Sequence, residues 1–159
     1  MTAGEPSQPG DLTQQTFVYL IGRLNRGIQP ALSEALSPHE LTLPEFTTLS
    51  VLARRPGLSN AQLARRALIT PQAMIQVLRR LEERGLVTRK VDPGHARILQ
   101  SSLTPRGRKL LLRAETAVAA IEGQILEQLP AADRESLCEA LAAVGQRLSS
   151  LQRASDPTD

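Results

Sequence analysis

Aromatic side chains are nearly missing from this 159-residue chain, which has two Phe, one Tyr and no Trp. Large rings cannot fill its core, so Leu and Ala must, and that composition favours helices. Cys138 is the only cysteine. One thiol excludes an internal disulfide and suggests a reducing compartment. No apolar run approaches the roughly 20 residues of a membrane-spanning helix. The opening residues, MTAGEPSQPGD, are polar and lack the apolar stretch of a secretory signal. The expected location is therefore cytoplasmic, with no membrane partner.

Reactive chemistry is equally sparse. The two histidines, His39 and His95, lie far apart in sequence, and no cluster of metal-ligating residues surrounds either one. There is no glycine-rich phosphate loop, no nucleophile motif and no pair of carboxylates in a plausible cleft. The chain is expected to use no metal and no cofactor, and not to be an enzyme.

What the chain does have is a strong charge asymmetry. Residues 54–113 hold 14 Arg/Lys against 3 Asp/Glu, a net of +11, while the remainder holds 5 against 13, a net of −8. A positive middle between negative ends focuses a field on one region and suits a polyanionic partner.

Periodicity gives the order of elements. Residues 1–10 and 153–159 are rich in Pro, Gly, Ser and Asp and are expected to be loose tails. From Asp11 to Leu36 apolar residues recur at helical spacing, and Pro30 should kink or break that helix. LTLPEFTTLSVLARRPG is a second helix with Pro44 in its first turn and Pro56-Gly57 at its end. A short third helix starts near Ser59 or Asn60. A fourth, residues 71–84, is capped by Thr70, has Pro71 at its first position and stops at Gly85. LVTRKV and ARILQSSL, joined by Asp92-Pro93-Gly94-His95, read as a β-hairpin. A long helix follows Thr104-Pro105 and runs towards Pro130, and a last helix covers 131–152. In that last helix Leu137, Leu141, Val144, Leu148 and Leu151 fall at steps of 4, 3, 4 and 3, a short coiled-coil-like seam. The fold class is mainly α with a small β-hairpin wing.

Residues 41–103 can close one small lobe. The helices of 11–36 and 104–152 keep apolar stripes that this lobe cannot cover; they can pack on each other or on the same helices of a second chain, and the second is expected, a homodimer with Phe17, Leu20, Leu24, Leu137, Leu141, Val144 and Leu148 at its interface.

On a helix over 71–84, Met74, Val77, Leu78 and Leu81 share one face, and Gln72, Gln76, Arg79, Arg80 and Glu83 share the other, with Ala73 at the edge. The polar face suits the major groove of double-stranded DNA. Gln pairs bidentately with adenine, small apolar groups touch a thymine methyl, and Arg reaches guanine or phosphate. The short helix before it completes a helix-turn-helix pair. Arg89, Lys90 and Arg97 are expected to flank the hairpin tip, where basic side chains can enter the minor groove. Two alternatives stay open: a winged-helix protein-interaction adaptor, and a non-specific DNA-binding protein. Steep weakening by salt would separate DNA binding through several phosphates from an adaptor.

The run from LTLPEFTTLSVL through LRRLEERGLVTRKVDP to SLTPRGRKLL resembles the winged helix-turn-helix of the MarR family of bacterial transcriptional regulators. The similarity extends to the terminal helices, which in that family form the dimerisation region. The resemblance implies a homodimeric repressor on a palindromic operator, released by a small, often aromatic, molecule. By position, Gln72, Ala73 and Gln76 match the family's base-facing residues, and Arg97 matches its wing arginine. The family usually has Asp two residues before that arginine, and this chain has His95. That leaves Arg97 without its usual carboxylate, and a protonated His95 would instead face phosphate. The resemblance also implies an effector pocket between the dimer helices and the lobe, with Phe17, Tyr19, Arg23, Arg26 and Phe46 as candidate lining.

Overall fold

A computed structural model describes residues 16–92 and 94–155. The elements are α1 (Phe17–Leu36), a 3₁₀ turn (Ser37–His39), α2 (Leu43–Arg54), α3 (Asn60–Ala67), α4 (Pro71–Glu83), β1 (Val87–Asp92), β2 (His95–Leu103), α5 (Pro105–Ile125) and α6 (Ala131–Ser155). The chain divides into two compact units between Ile121 and Glu122. No helix among the described residues is long and apolar enough to cross a membrane.

The first unit holds the core. Sixteen buried apolar residues form it, ten of them Leu and none aromatic. Leu36, Leu49, Leu52, Leu63, Leu78, Leu81 and Leu86 are essentially inaccessible to water. Each buried side chain of that size contributes roughly 1.5–3 kcal/mol. The scarcity of aromatics is thus met by leucines brought together from α1, α2, α3, α4 and α5, with Leu86 just before β1.

Each helix of this unit begins on a side chain that satisfies a free N–H. Thr42 Oγ1 accepts from Glu45 N (3.4 Å) while Glu45 Oε2 accepts from Thr42 N (2.9 Å). Ser59 and Gln62 make the same reciprocal box at the start of α3. Asn60 Nδ2 donates to the Pro71 carbonyl (3.2 Å), which joins the start of α3 to the start of α4. Leu68, between them, has φ +56, a left-handed residue that reverses the chain in the turn.

Pro30 neither ends nor divides α1, which runs unbroken from Phe17 to Leu36. The expected break does not occur. Pro30 and its surroundings from Arg23 to Gly27 are exposed, so water can satisfy the carbonyl that proline leaves without a donor. The Asp11–Gln15 part of the expected helix lies outside the described residues. The 3₁₀ turn after α1 has no periodic signal in the sequence. It ends at Glu40, φ +53.

The hairpin pairs antiparallel from Val87↔Leu103 to Val91↔Leu99, then shifts register so that Asp92 faces His95. Leu58 adds a one-residue bridge to Ser101. Gly57 N donates to Ser101 O and Ser101 N to Leu58 O, both at 2.9 Å. The hairpin is thereby tied to the segment between α2 and α3.

α5 is anchored where the wing returns. Thr104 Oγ1 accepts from Gly107 N (3.0 Å) and donates to Gly85 O (2.8 Å), and Thr104 N donates to Leu86 O (3.1 Å). A Cβ on residue 107 would collide with the Leu86 carbonyl. Only glycine lets α5 approach the end of α4 this closely.

In the second unit α6 starts at Ala131, with Arg134 donating to the Leu129 and Glu127 carbonyls. Leu137, Leu141, Leu148 and Leu151 are between 38% and 53% exposed, and Val144 is half-buried.

Candidate nucleic-acid interface

α4 carries the site because its two faces have opposite fates. Met74, Val77, Leu78 and Leu81 are buried in the lobe. Gln72, Ala73 and Gln76 are exposed on the other side. The helix is stopped firmly at both ends. Thr70 Oγ1 accepts from Ala73 N (3.1 Å). At the far end Leu86 N donates to Leu81 O and Gly85 N to Glu82 O, both at 2.9 Å, with Gly85 at φ +66. This double bond around a left-handed glycine satisfies the last carbonyls. The glutamines therefore stand on a rigid platform, in the N-terminal turns that a recognition helix offers to base edges. Thr70 lies at the same end, and its hydroxyl oxygen is engaged in the cap.

The arginines of α4 divide. Arg79 is exposed and pairs with Glu83 along the helix (2.9 Å), a contact worth only a few tenths of a kcal/mol at an exposed site. Phosphate can displace it. Arg80 instead turns to α2, where its Nε donates to Glu45 Oε1 at 2.9 Å. Glu45 is 3% exposed, so Arg80 acts first as an anchor for α4. Burial alone would raise the Glu45 carboxyl. The Thr42 N–H, the Arg80 guanidinium and the Thr42 hydroxyl outweigh it and hold the group below its ordinary value. Arg84 completes the network, 3.9 Å from Glu45 and donating to the Glu40 carbonyl at 2.7 Å.

The wing differs from its expected arrangement in one respect. Arg89 and Lys90 face Ser101 and Gln100 across the ladder, in mid-strand rather than beside the tip. Arg89 is drawn towards α4, with Nε buried 3.6 Å from Glu82 Oε2. Lys90 is exposed. His95 and Arg97 are placed in β2 by their backbone; their side chains, and Pro93 of the turn, lie outside the described residues.

Two groups were not legible as site residues. Ile75 is 43% exposed at the flank of the α4 polar face, where an apolar side chain suits a thymine methyl. A helical wheel predicts that flank position, but a lone Ile reads as core. Glu45 was signalled by the sequence Thr42-Leu43-Pro44-Glu45, a capping box with proline inside it. Its second role under Arg80 depends on residues 35 positions apart.

The candidate effector residues are distributed over two faces of α1 and over α2. Phe17, Tyr19, Arg23 and Arg26 are all exposed on α1. At about 100° per residue, Tyr19, Arg23 and Arg26 share one face while Phe17 joins Leu20 and Leu24 on another. Phe46 is half-buried and packs against the lobe core. Cys138 is exposed and free. No group of three or more His, Cys, Asp or Glu among the described residues is arranged to hold a metal ion.

Known proteins share this arrangement. The MarR family model matches residues 39–98, from the turn after α1 to the middle of β2. The HTH-type transcriptional repressor Rv2887 of Mycobacterium tuberculosis is 45% identical over 127 residues, which is 80% of this chain and 91% of that one. The crystal structure of Rv2887 in complex with DNA superposes with a TM-score of 0.69 at 42% identity, covering 82% of this chain and 98% of that one. Its complex with p-aminosalicylic acid gives 0.70 at 43%, with the same coverage. The chain belongs to the MarR family of winged helix-turn-helix transcriptional regulators.

Proposed function

We propose that this protein is a homodimeric, sequence-specific repressor that binds double-stranded DNA and is released by a small aromatic acid. The observation that carries the reading is α4, with its apolar face locked into the lobe and Gln72, Ala73 and Gln76 exposed at its capped N-terminal end. Those three residues, with Ile75 at the flank, read base edges in the major groove. Arg79, Lys90 and Arg97 contact phosphate or the minor groove, and Arg80 and Arg89 hold the helix and wing in place. Two copies reach successive major grooves about 10 base pairs apart, so the operator is roughly palindromic.

The dimer reading rests on exposed apolar side chains. Phe17, Leu20 and Leu24 on α1 are 42–61% exposed, and α6 adds Leu137, Leu141, Val144 and Leu148. A chain working alone would leave these faces in water. The effector reading rests on the p-aminosalicylic acid complex of Rv2887 and on the cations Arg23 and Arg26 beside Tyr19, which suit an aryl carboxylate.

The test is a selection of random duplexes by the purified protein at near-physiological salt, with its mass measured in the same buffer. The expected result is an enriched palindrome bound by a dimer, and weaker binding when salicylate is added. Binding that only tracks salt, with no enriched site, would leave a non-specific DNA-binding protein.

A further inference from the structure

A cleft of about 310 Å³ lies among the 3₁₀ turn, the end of α4 and the start of α5. Arg84, Arg106, Lys109 and Arg113 line it against a single carboxylate, Glu40, with the buried Leu110 also in its wall. Glu40 is already 3.8 Å from Arg84. Arg106, Lys109 and Arg113 have no ion-pair partner among the described residues.

These three cations sit badly for helix stability. They occur at i, i+3 and i+7 of α5, along one face, where like charges repel. Arg106 and Lys109 also lie near its N-terminal end, where the helix dipole favours anions, and the first turn contains no acidic residue. A sequence that breaks two local rules at one place without an internal partner marks a functional site.

The cleft is also far from the DNA face. Arg84 caps the end of α4 opposite Thr70, about 20 Å away along a helix of that length. Arg106 follows β2, whose nine residues carry the chain roughly 30 Å from the wing tip. Both DNA-facing elements therefore have their distal ends at the cleft.

We infer that this cleft is a binding site for a small, multiply charged anion, a phosphate or polycarboxylate compound, separate from the DNA face. An aromatic acid with one charge matches three unpaired cations less well. A bound polyanion ties the α4 cap to α5 at the Gly85–Thr104 joint, from which both the recognition helix and the wing extend.

The test is calorimetric titration of the full-length protein with pyrophosphate and, separately, citrate, at constant ionic strength. The expected result is saturable binding that Arg106→Gln/Arg113→Gln weakens about tenfold or more, the scale of lost charge-assisted hydrogen bonds. The tighter of the two anions names the ligand chemistry. The double variant should keep the wild-type salt dependence of DNA affinity. If it melts early, Lys109→Gln serves in its place, with weakening of about threefold or more. Absence of saturation with either anion, or equal affinity in wild type and variant, overturns the proposal. So does a loss of about two units in the DNA salt slope, which would make these cations part of the DNA footprint.

Discussion

α4 and α6 are both amphipathic helices, and their apolar sides meet different ends. In α4 the four apolar residues of the stripe are at most 3% exposed, and the polar side is left for a partner. In α6 the leucine seam itself is half exposed. A stripe that the chain covers supports a fold. A stripe of similar composition that the chain leaves uncovered supports an assembly. Periodicity alone does not separate the two, because it reports a face and not what lies against it.

Substitutions in the two stripes should therefore diverge. Leu81→Ala removes a fully buried side chain and should cost about 2–5 kcal/mol, read as a large fall in melting temperature by circular dichroism. Leu141→Glu/Leu148→Glu on α6 should leave the lobe folded, halve the mass seen by light scattering and weaken operator binding. Retention of the dimer by that variant would remove α6 from the interface.

Gly107→Ala brings a Cβ onto the Leu86 carbonyl. It should destabilise by about 1–3 kcal/mol, the range for overpacked sites, even though alanine is the better helix former. Gln72→Ala and Gln76→Ala lie on the exposed side of α4. Each should relax base preference by about 1–3 kcal/mol per lost contact in competition binding against operator variants, with the melting temperature unchanged. Equal discrimination by wild type and variants would take those glutamines off the bases.

The smallest effect concerns Glu45. Its carboxyl is held below the ordinary value in the folded state, so the folded protein binds a proton less readily than the unfolded chain. Its contribution to stability is complete above the ordinary carboxylate range and is lost as pH falls through the lowered value. Denaturant titrations down the acid limb should show a shallower decline in Glu45→Gln than in wild type.

The lobe was legible because its signals are local. Thr70-Pro71 and Gly85 bracket α4, Ser59 starts α3, and alternation marks both strands to within a residue or so. Pro30 does not break α1 because the penalty for proline in a helix depends on whether the freed carbonyl can reach water. Arg80 and Arg89 were legible as cations but not as anchors. Their partners, Glu45 and Glu82, are chosen by how α2 and β1 pack on α4. The bridge from Leu58 to Ser101 and the cleft around Arg84 join residues more than forty positions apart, and no local pattern announces them.

By itself the sequence determined the order of elements, the caps, the polar face of α4 and the concentration of positive charge, because each follows from residue type and spacing along the chain. The tertiary structure alone decided which arginines are held and which are free, how closely Gly107 brings α5 to α4, and which apolar stripes stay uncovered. Those outcomes depend on what packs against a residue from elsewhere in the chain, and sequence spacing carries no record of that.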